Sequence, residues 1–308
     1  MSLTIVKADE PIRIKNLVLC LYACPGLGKT TTGYTANKAL LLDFDKGSYR
    51  AKGRKDTVII ENWTDVSSIT SDDLDGYDTV VMDTAGRALD ALERHIIQTN
   101  PKMGNINGGL TLQGYGKLKK EFIAWVSGIR SFSKDLVLIA HSTEDRSGDE
   151  LIERIDMTGS SKNEVYKIAD AMGRLHMVPN KRYPALTFSP TDTAFGKDPA
   201  QLGTVQLKDA DQNPYMLGDI IEQIKDAINE MSEEQLARQK LLDDWNGRIM
   251  DLKTSNEVNS MIDEANASQR HIKNAVKGML AQHAKSLDLK FNKDEGKYFT
   301  LDEEEASD

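Results

Sequence analysis

Short, continuous apolar runs punctuate the front of the chain. LVLCLY (17–22), ALLLDFD (39–45), DTVII (56–60), YDTVVMD (77–83) and DLVLIAH (135–141) are rich in Val, Ile and Leu. Runs of this length and composition read as buried strands. Between them, TTTGYTANKA, ALDALERHIIQ and KLKKEFIAWVSGIR read as helices. Strands without polar alternation, interleaved with helices, predict a mostly parallel central sheet covered on both faces. RLHMV (174–178) and PALTFS (184–189) read as further strands. In such sheets ligands sit beyond the carboxyl ends of the strands.

The pattern breaks in two places. Residues 99–116 are glycine-rich and 142–163 are polar, and both read as long functional or mobile loops. The expected organisation is an α/β core over residues 1–195 and a linker or extended connection over 196–216. A helical C-terminal region over 217–299 and an acidic tail over 300–308 follow. Helices are expected at 217–241, 254–266 and 268–286. Ser268 is the expected N-cap of the last, with Ile272, Val276, Met279 and Leu280 on one stripe. The tail LDEEEASD is expected to be disordered.

Composition narrows the picture. With 308 residues, 39% hydrophobic and 28% charged, this is an ordinary globular chain with room for one medium domain and an appendage. No apolar run reaches the roughly 18–20 residues of a membrane span, and the N-terminus lacks a signal-peptide core. The two cysteines, Cys20 in a buried strand and Cys24 in a loop, do not suit a structural disulfide, so a cytoplasmic location is expected. The net charge of −9 argues against a generally basic nucleic-acid coat. It is unevenly spread: residues 214–308 carry 12 bases and 20 acids, net −8, leaving −1 for residues 1–213.

The chemistry begins at ACPGLGKT, Ala23 to Thr30, which follows a strand and opens a helix. That is the context of a phosphate loop, whose backbone amides cradle a polyphosphate. Pro25, Gly26, Leu27, Gly28, Lys29, Thr30 and Thr31 are the expected nucleotide contacts, although Ala23 stands where the pattern usually has glycine. Lys29 would reach the β- and γ-phosphates, and Thr30 would ligate Mg²⁺ through its hydroxyl. Asp83, at the end of VVMD, would hold the metal shell. Asp45 follows the second strand and is the expected catalytic carboxylate, with Asp43 as competitor. His141 ends a neighbouring strand and would sense the γ-phosphate. Lys181 and Arg182 would supply a transition-state cation across a subunit interface.

Together, ACPGLGKT, LLLDFD, VVMDT, VLIAH and NKRYPALTF resemble the core of RecA-like recombination ATPases, over about residues 15–190. They are most similar to the small phage-encoded members of the Sak single-strand-annealing group. The resemblance implies a RecA-like P-loop fold and an ATPase using ATP and Mg²⁺. It also implies self-association into a ring or filament, and single-stranded DNA as partner. It gives Asp45 the catalytic place (where glutamate is more usual), the pair Asp83–Thr84 the metal place, His141 the sensor place and Lys181 the inter-subunit place. The two unassigned loops then correspond to DNA-binding loops. The first offers Lys102, Asn105, Asn107, Gln113, Tyr115 and Lys117, and the second Arg146, Arg154 and Lys162. The C-terminal region would contact a phage or host replication protein, or cap the core.

Rival readings remain open at this level. DTAGR (83–87) and GKTTT (28–32) also resemble a signal-recognition-type GTPase, but neither NKRY (180–183) nor NKDE (292–295) ends in the Asp that reads guanine. A helicase loader of the AAA class and an ATP-gated DNA-binding scaffold would use the same phosphate loop.

Overall fold

The computed structural model describes residues 5–147, 150–157, 161–180, 183–293 and 296–300. They fall into two compact units, Ile14–Ile228 and a second formed by Met1–Arg13 with Asn229–Asp308.

The larger unit is built on a nine-stranded sheet among the described residues. In chain order its elements are β1 (Val18–Ala23), α1 (Lys29–Tyr34), β2 (Ala39–Asp43), β3 (Thr57–Ile59), α2 (Thr64–Ser67), β4 (Thr79–Asp83) and α3 (Ala85–Thr99). Then come α4 (Leu112–Ser131), β5 (Asp135–Ser147), β6 (Glu150–Ile155), α5 (Ser161–Ile168), β7 (Ala171–Met177), β8 (Pro184–Thr187) and β9 (Thr204–Gln206). The helix α6 (Met216–Met250) begins in this unit.

Across the sheet the order is β3-β2-β4-β5-β1-β7-β8-β9, with β6 paired to β5 alone. Pairing is parallel from β3 through β7 and antiparallel at β7–β8 and β8–β9. Strand β5 therefore lies between β1 and β4. Its register sets His141 beside Ala23, the residue that opens the phosphate loop, and Ile139 beside Asp83. Connections of this kind gather the carboxyl ends of β2, β4, β5 and β1 on one edge, where the chemistry-bearing residues stand.

The period-two geometry of a strand explains why the apolar runs show no polar alternation. Cys20, Tyr22, Leu42, Met82 and Leu138 face one core with Leu89, Phe122 and Trp125 of α3 and α4. Their neighbours Leu19, Leu21, Leu41, Val81 and Ile139 face the other, with Tyr34 of α1 and Leu217, Ile220 and Ile224 of α6. Close approach of α1 depends on Gly33, where an added Cβ would stand 3.0 Å from Val81 Cγ1 and 3.1 Å from Ile139 Cδ1.

Several expectations change here. The described residues of the polar stretch 142–163 do not form an open loop. Strand β5 runs on through Ser147 and pairs with β6 as a hairpin, and α5 follows. The glycine-rich stretch 99–116 is a compact turn over its first part. Asn105 receives the amides of Asn107 and Gly109 and donates to Leu110 O, and α4 already starts at Leu112. Within 196–216, β9 completes the sheet edge, and Leu207 and Met216 are buried in the second core.

The smaller unit contains the rest of α6 with α7 (Ser255–Ala267), α8 (Arg270–Ser286) and a hairpin of β10 (Lys290–Asn292) and β11 (Lys297–Phe299). Ile272, Val276 and Leu280 form the expected buried stripe, with Met279 packed beside it. Ser268 does not cap α8: its hydroxyl donates back to Ala265 O at the end of α7, and Gln269 is the residue before α8. The cap signature lies elsewhere, in the Thr254–Glu257 capping box of α7. The acidic tail after Thr300 lies outside the described residues.

Candidate functional site

The phosphate loop leaves β1 at Ala23 and enters α1 at Lys29. Gly26 and Gly28 hold φ of 83° and 84°, a left-handed region that glycine enters without a Cβ penalty. Ala23 is the last residue of β1 and takes no positive φ, so alanine there is no obstacle.

Lys29 is buried, and its Nζ donates to Ala23 O at 3.0 Å, Cys24 O at 3.0 Å and His141 Nδ1 at 3.2 Å. Burial lowers the pKa of its ammonium, against the pull of Asp83 and Asp45. Thr30 Oγ1 donates to Asp83 Oδ2 at 2.6 Å. Burial, mainly, pushes the Asp83 carboxyl up to about 6 despite that hydrogen bond, with Asp45 and Asp43 adding repulsion. A hydroxyl and an under-compensated carboxylate therefore converge on one point, a fit for a hard divalent cation. Among the described residues no cluster of three His, Cys, Asp or Glu forms a metal cage. The donor set matches Mg²⁺, which keeps water and phosphate oxygens in most of its positions.

Asp45 stands just beyond β2 and is joined to His141 Nε2 by its Oδ2 at 3.2 Å and to Thr84 Oγ1 by its Oδ1 at 3.2 Å. Burial pushes the Asp45 carboxyl up, but the hydrogen bonds from His141 and Thr84, with Arg87 nearby, outweigh it and hold the pKa below the usual value. Asp43 is fully buried and its two oxygens accept the amides of Gly47 at 3.2 Å and Ser48 at 2.9 Å. The two aspartates face different surroundings: Asp43 builds the turn, while Asp45 lines the cavity.

That cavity measures about 430 Å³ and is lined by Pro25, Gly26, Gly28, Lys29, Thr30, Thr31, Asp45, Asp83 and His141, together with Gly47, Arg50 and Ala51. Gly28 and Thr31 also line an adjoining cavity of about 270 Å³, with Leu27, Thr35, Tyr183, Pro184, Leu207 and Met216. The seven expected nucleotide contacts are thus divided between two cavities that share Gly28 and Thr31, Leu27 belonging to the second. Lys181 and Arg182 lie outside the described residues.

Sequence reasoning missed Arg50 and Arg87. Arg87 Nε is 3.5 Å from Asp45 Oδ1. DTAGR, read as a possible GTPase switch, is the end of β4 and the first turn of α3, with Ala85 and Ala88 buried. The only signal for either arginine was proximity in sequence to Asp45 or Asp83, which surface arginines share.

The candidate DNA-binding residues are mostly occupied. Tyr115 packs against the first core, Lys117 lies 3.5 Å from Glu121, and Arg154 and Lys162 both reach Asp145 at 3.4 Å. Both cysteines are free. The thiol of Cys20 is pushed up to about 12 by burial, and the exposed Cys24 lies 3.3 Å from Ser142 Oγ. Among the described residues no helix is long and apolar enough to cross a membrane.

A phosphate loop after β1, a hydroxyl–carboxylate pair with β4, and a histidine on the intervening β5 define the ligand edge of a P-loop NTPase fold. The chain belongs to the AAA-domain family, whose model matches residues 15–200, more than half of its length. A solved structure of the RadB recombinase is similar at 11% identity, over 56% of this chain and 79% of that one, with a TM-score of 0.33. Among curated protein sequences none matches the chain.

Proposed function

We propose that this protein binds ATP with Mg²⁺ in the 430 Å³ cavity and hydrolyses it, acting on single-stranded DNA in recombination, annealing or replication as a phage-type RecA-like protein. One observation carries the hydrolysis: Lys29, His141 and Asp45 form a continuous hydrogen-bonded chain from the phosphate loop to a carboxylate held ionised.

An ammonium can only donate, so His141 Nδ1 accepts from Lys29 and Nε2 carries the hydrogen given to Asp45. When Lys29 turns from the loop carbonyls to the phosphates, Nδ1 loses its donor while Asp45 keeps its own. Asp45 then orients a water and takes its proton as the water oxygen attacks the terminal phosphorus. The bond from that phosphorus to the bridging oxygen breaks, leaving ADP and inorganic phosphate. Thr30 and Asp83 are the residues that would hold Mg²⁺, which would neutralise charge on the phosphates. The adjoining 270 Å³ cavity suits the nucleoside, with Leu27, Pro184 and Leu207 offering apolar surface.

Adenine is favoured over guanine because neither NKRY nor NKDE ends in Asp, and NKDE belongs to the other compact unit. The DNA partner and the ring or filament rest on the motif resemblance, with Lys181 and Arg182 as inter-subunit cations.

The test is ATPase activity with and without single-stranded DNA. Lys29→Ala should abolish nucleotide binding. Asp45→Asn should bind normally and lose about 10²-fold or more in turnover. Normal hydrolysis by the Asp45 variant would remove it as the base, and activity indifferent to DNA would count against the DNA role.

A further inference from the structure

The turn after β2 carries a run of bases, Lys46, Arg50, Lys52, Arg54 and Lys55, directly beside the phosphate loop. Most are engaged. Lys46 pairs with Glu61, Lys52 lies 3.3 Å from Asp209, and Lys55 Nζ donates to Ala36 O at 2.8 Å. Arg54 is exposed and does not line the cavity. Arg50 lines it and, among the described residues, meets no carboxylate; its guanidinium lies 5.3 Å from the Tyr49 ring centre.

The backbone that carries Arg50 is fixed from three sides. The buried Asp43 carboxylate holds the amides of Gly47 and Ser48. Arg50 N donates to Gly47 O at 3.1 Å, and Lys52 N donates to Thr31 Oγ1 in the phosphate-loop helix at 3.2 Å. A Cβ on Gly47 would stand 2.6 Å from Arg50 Nη2, so glycine there leaves the guanidinium room to lie across the turn.

The charge of the cavity asks for such a group. Its lining holds two carboxylates, Asp45 and Asp83, against the single ammonium of Lys29, and Arg50 is the remaining cation. A bound polyphosphate adds several negative charges, and a planar guanidinium is suited to paired phosphate oxygens. Resting on the nucleotide-binding reading above, we infer that Arg50 is a phosphate-binding residue. It is supplied by the same chain, independently of any neighbour's Lys181 or Arg182.

The experiment is displacement of a fluorescent ATP analogue by ATP and by inorganic tripolyphosphate, on wild type, Arg50→Ala and Arg50→Lys. Thermal melting confirms that the variants stay folded, as expected for an exposed side chain. Arg50→Ala should weaken both competitors about tenfold or more, and Arg50→Lys should recover part of the loss for both. Unchanged affinities in Arg50→Ala would overturn the assignment. So would a loss for ATP with none for tripolyphosphate, because the guanidinium would then meet the nucleoside. A wild-type protein that binds neither competitor would overturn the nucleotide reading itself, and this inference with it.

Discussion

His141 sits between an ammonium and a carboxylate, and that position gives it a job distinct from either. Removing its ring takes a hydrogen bond from Asp45 and an acceptor from Lys29 without touching the Thr30–Asp83 pair. His141→Ala should therefore keep ATP affinity within about threefold while turnover falls about 10²-fold, read from single-turnover hydrolysis. Equal losses in affinity and turnover would show that the ring only shapes the cavity. Asp43 makes the opposite case, a carboxylate spent on structure. Asp43→Asn leaves one acceptor oxygen for two amides and should cost about 1–3 kcal/mol in urea unfolding. Lys29, Thr30, Asp83, Asp45 and His141, which the structure gathers at one cavity, stood out in sequence because each ends an apolar run or belongs to a motif whose spacing carries chemistry. His141 itself lies mid-strand, since β5 runs on to Ser147. Arg50 did not stand out, since an arginine in a polar turn looks the same whether it faces solvent or a cavity.

At the scale of elements, the buried pair Asp135–Lys225 joins the start of β5 to α6. Asp135 Oδ1 accepts Leu17 N at 2.9 Å, and Oδ2 accepts Lys225 Nζ at 2.7 Å. Burial pushes the Asp135 carboxyl up even with Lys225 and the Leu17 amide pulling it down. Burial likewise pulls the Lys225 ammonium down, but its bonds to Asp135 and Glu222 outweigh that and raise its pKa. Lys225→Ala strands a buried carboxylate and should destabilise the larger unit by about 3–5 kcal/mol in denaturant unfolding. A loss below about 1 kcal/mol would mean that water reaches Asp135 and replaces the lysine. The elements that sequence resolved well were those with two buried faces, β1, β2, β4 and the core half of β5. Beyond His141, β5 leaves the core, its residues turn polar, and neither apolar run nor alternation marks the hairpin with β6. Strand β9 is three residues long, too short for any period to show. Helix α6 continues to Met250, past the expected end at 241; no glycine or proline stands between Gly218 and Gly247, and the helix runs through both glycines.

Across the whole molecule, the negative charge is concentrated in residues 214–308 at −8, and five acids fall within residues 300–308. Under the single-stranded DNA role proposed above, an acidic segment would lower affinity for that polyanion by like-charge repulsion. Deleting residues 300–308 takes the formal net charge from −9 to −4. The phosphate loop lies in the unit Ile14–Ile228, so ATP binding should be unchanged in the truncated protein. Affinity for a single-stranded oligonucleotide should rise severalfold at low salt. The gain should fade as the screening length shrinks to about 3 Å near 1 M salt, because exposed charges further apart than that no longer interact. Fluorescence anisotropy across a salt series measures both. A gain that persists at high salt would point to a non-electrostatic block, and equal affinity of the two proteins at low salt would remove the acidic segment as a competitor for DNA.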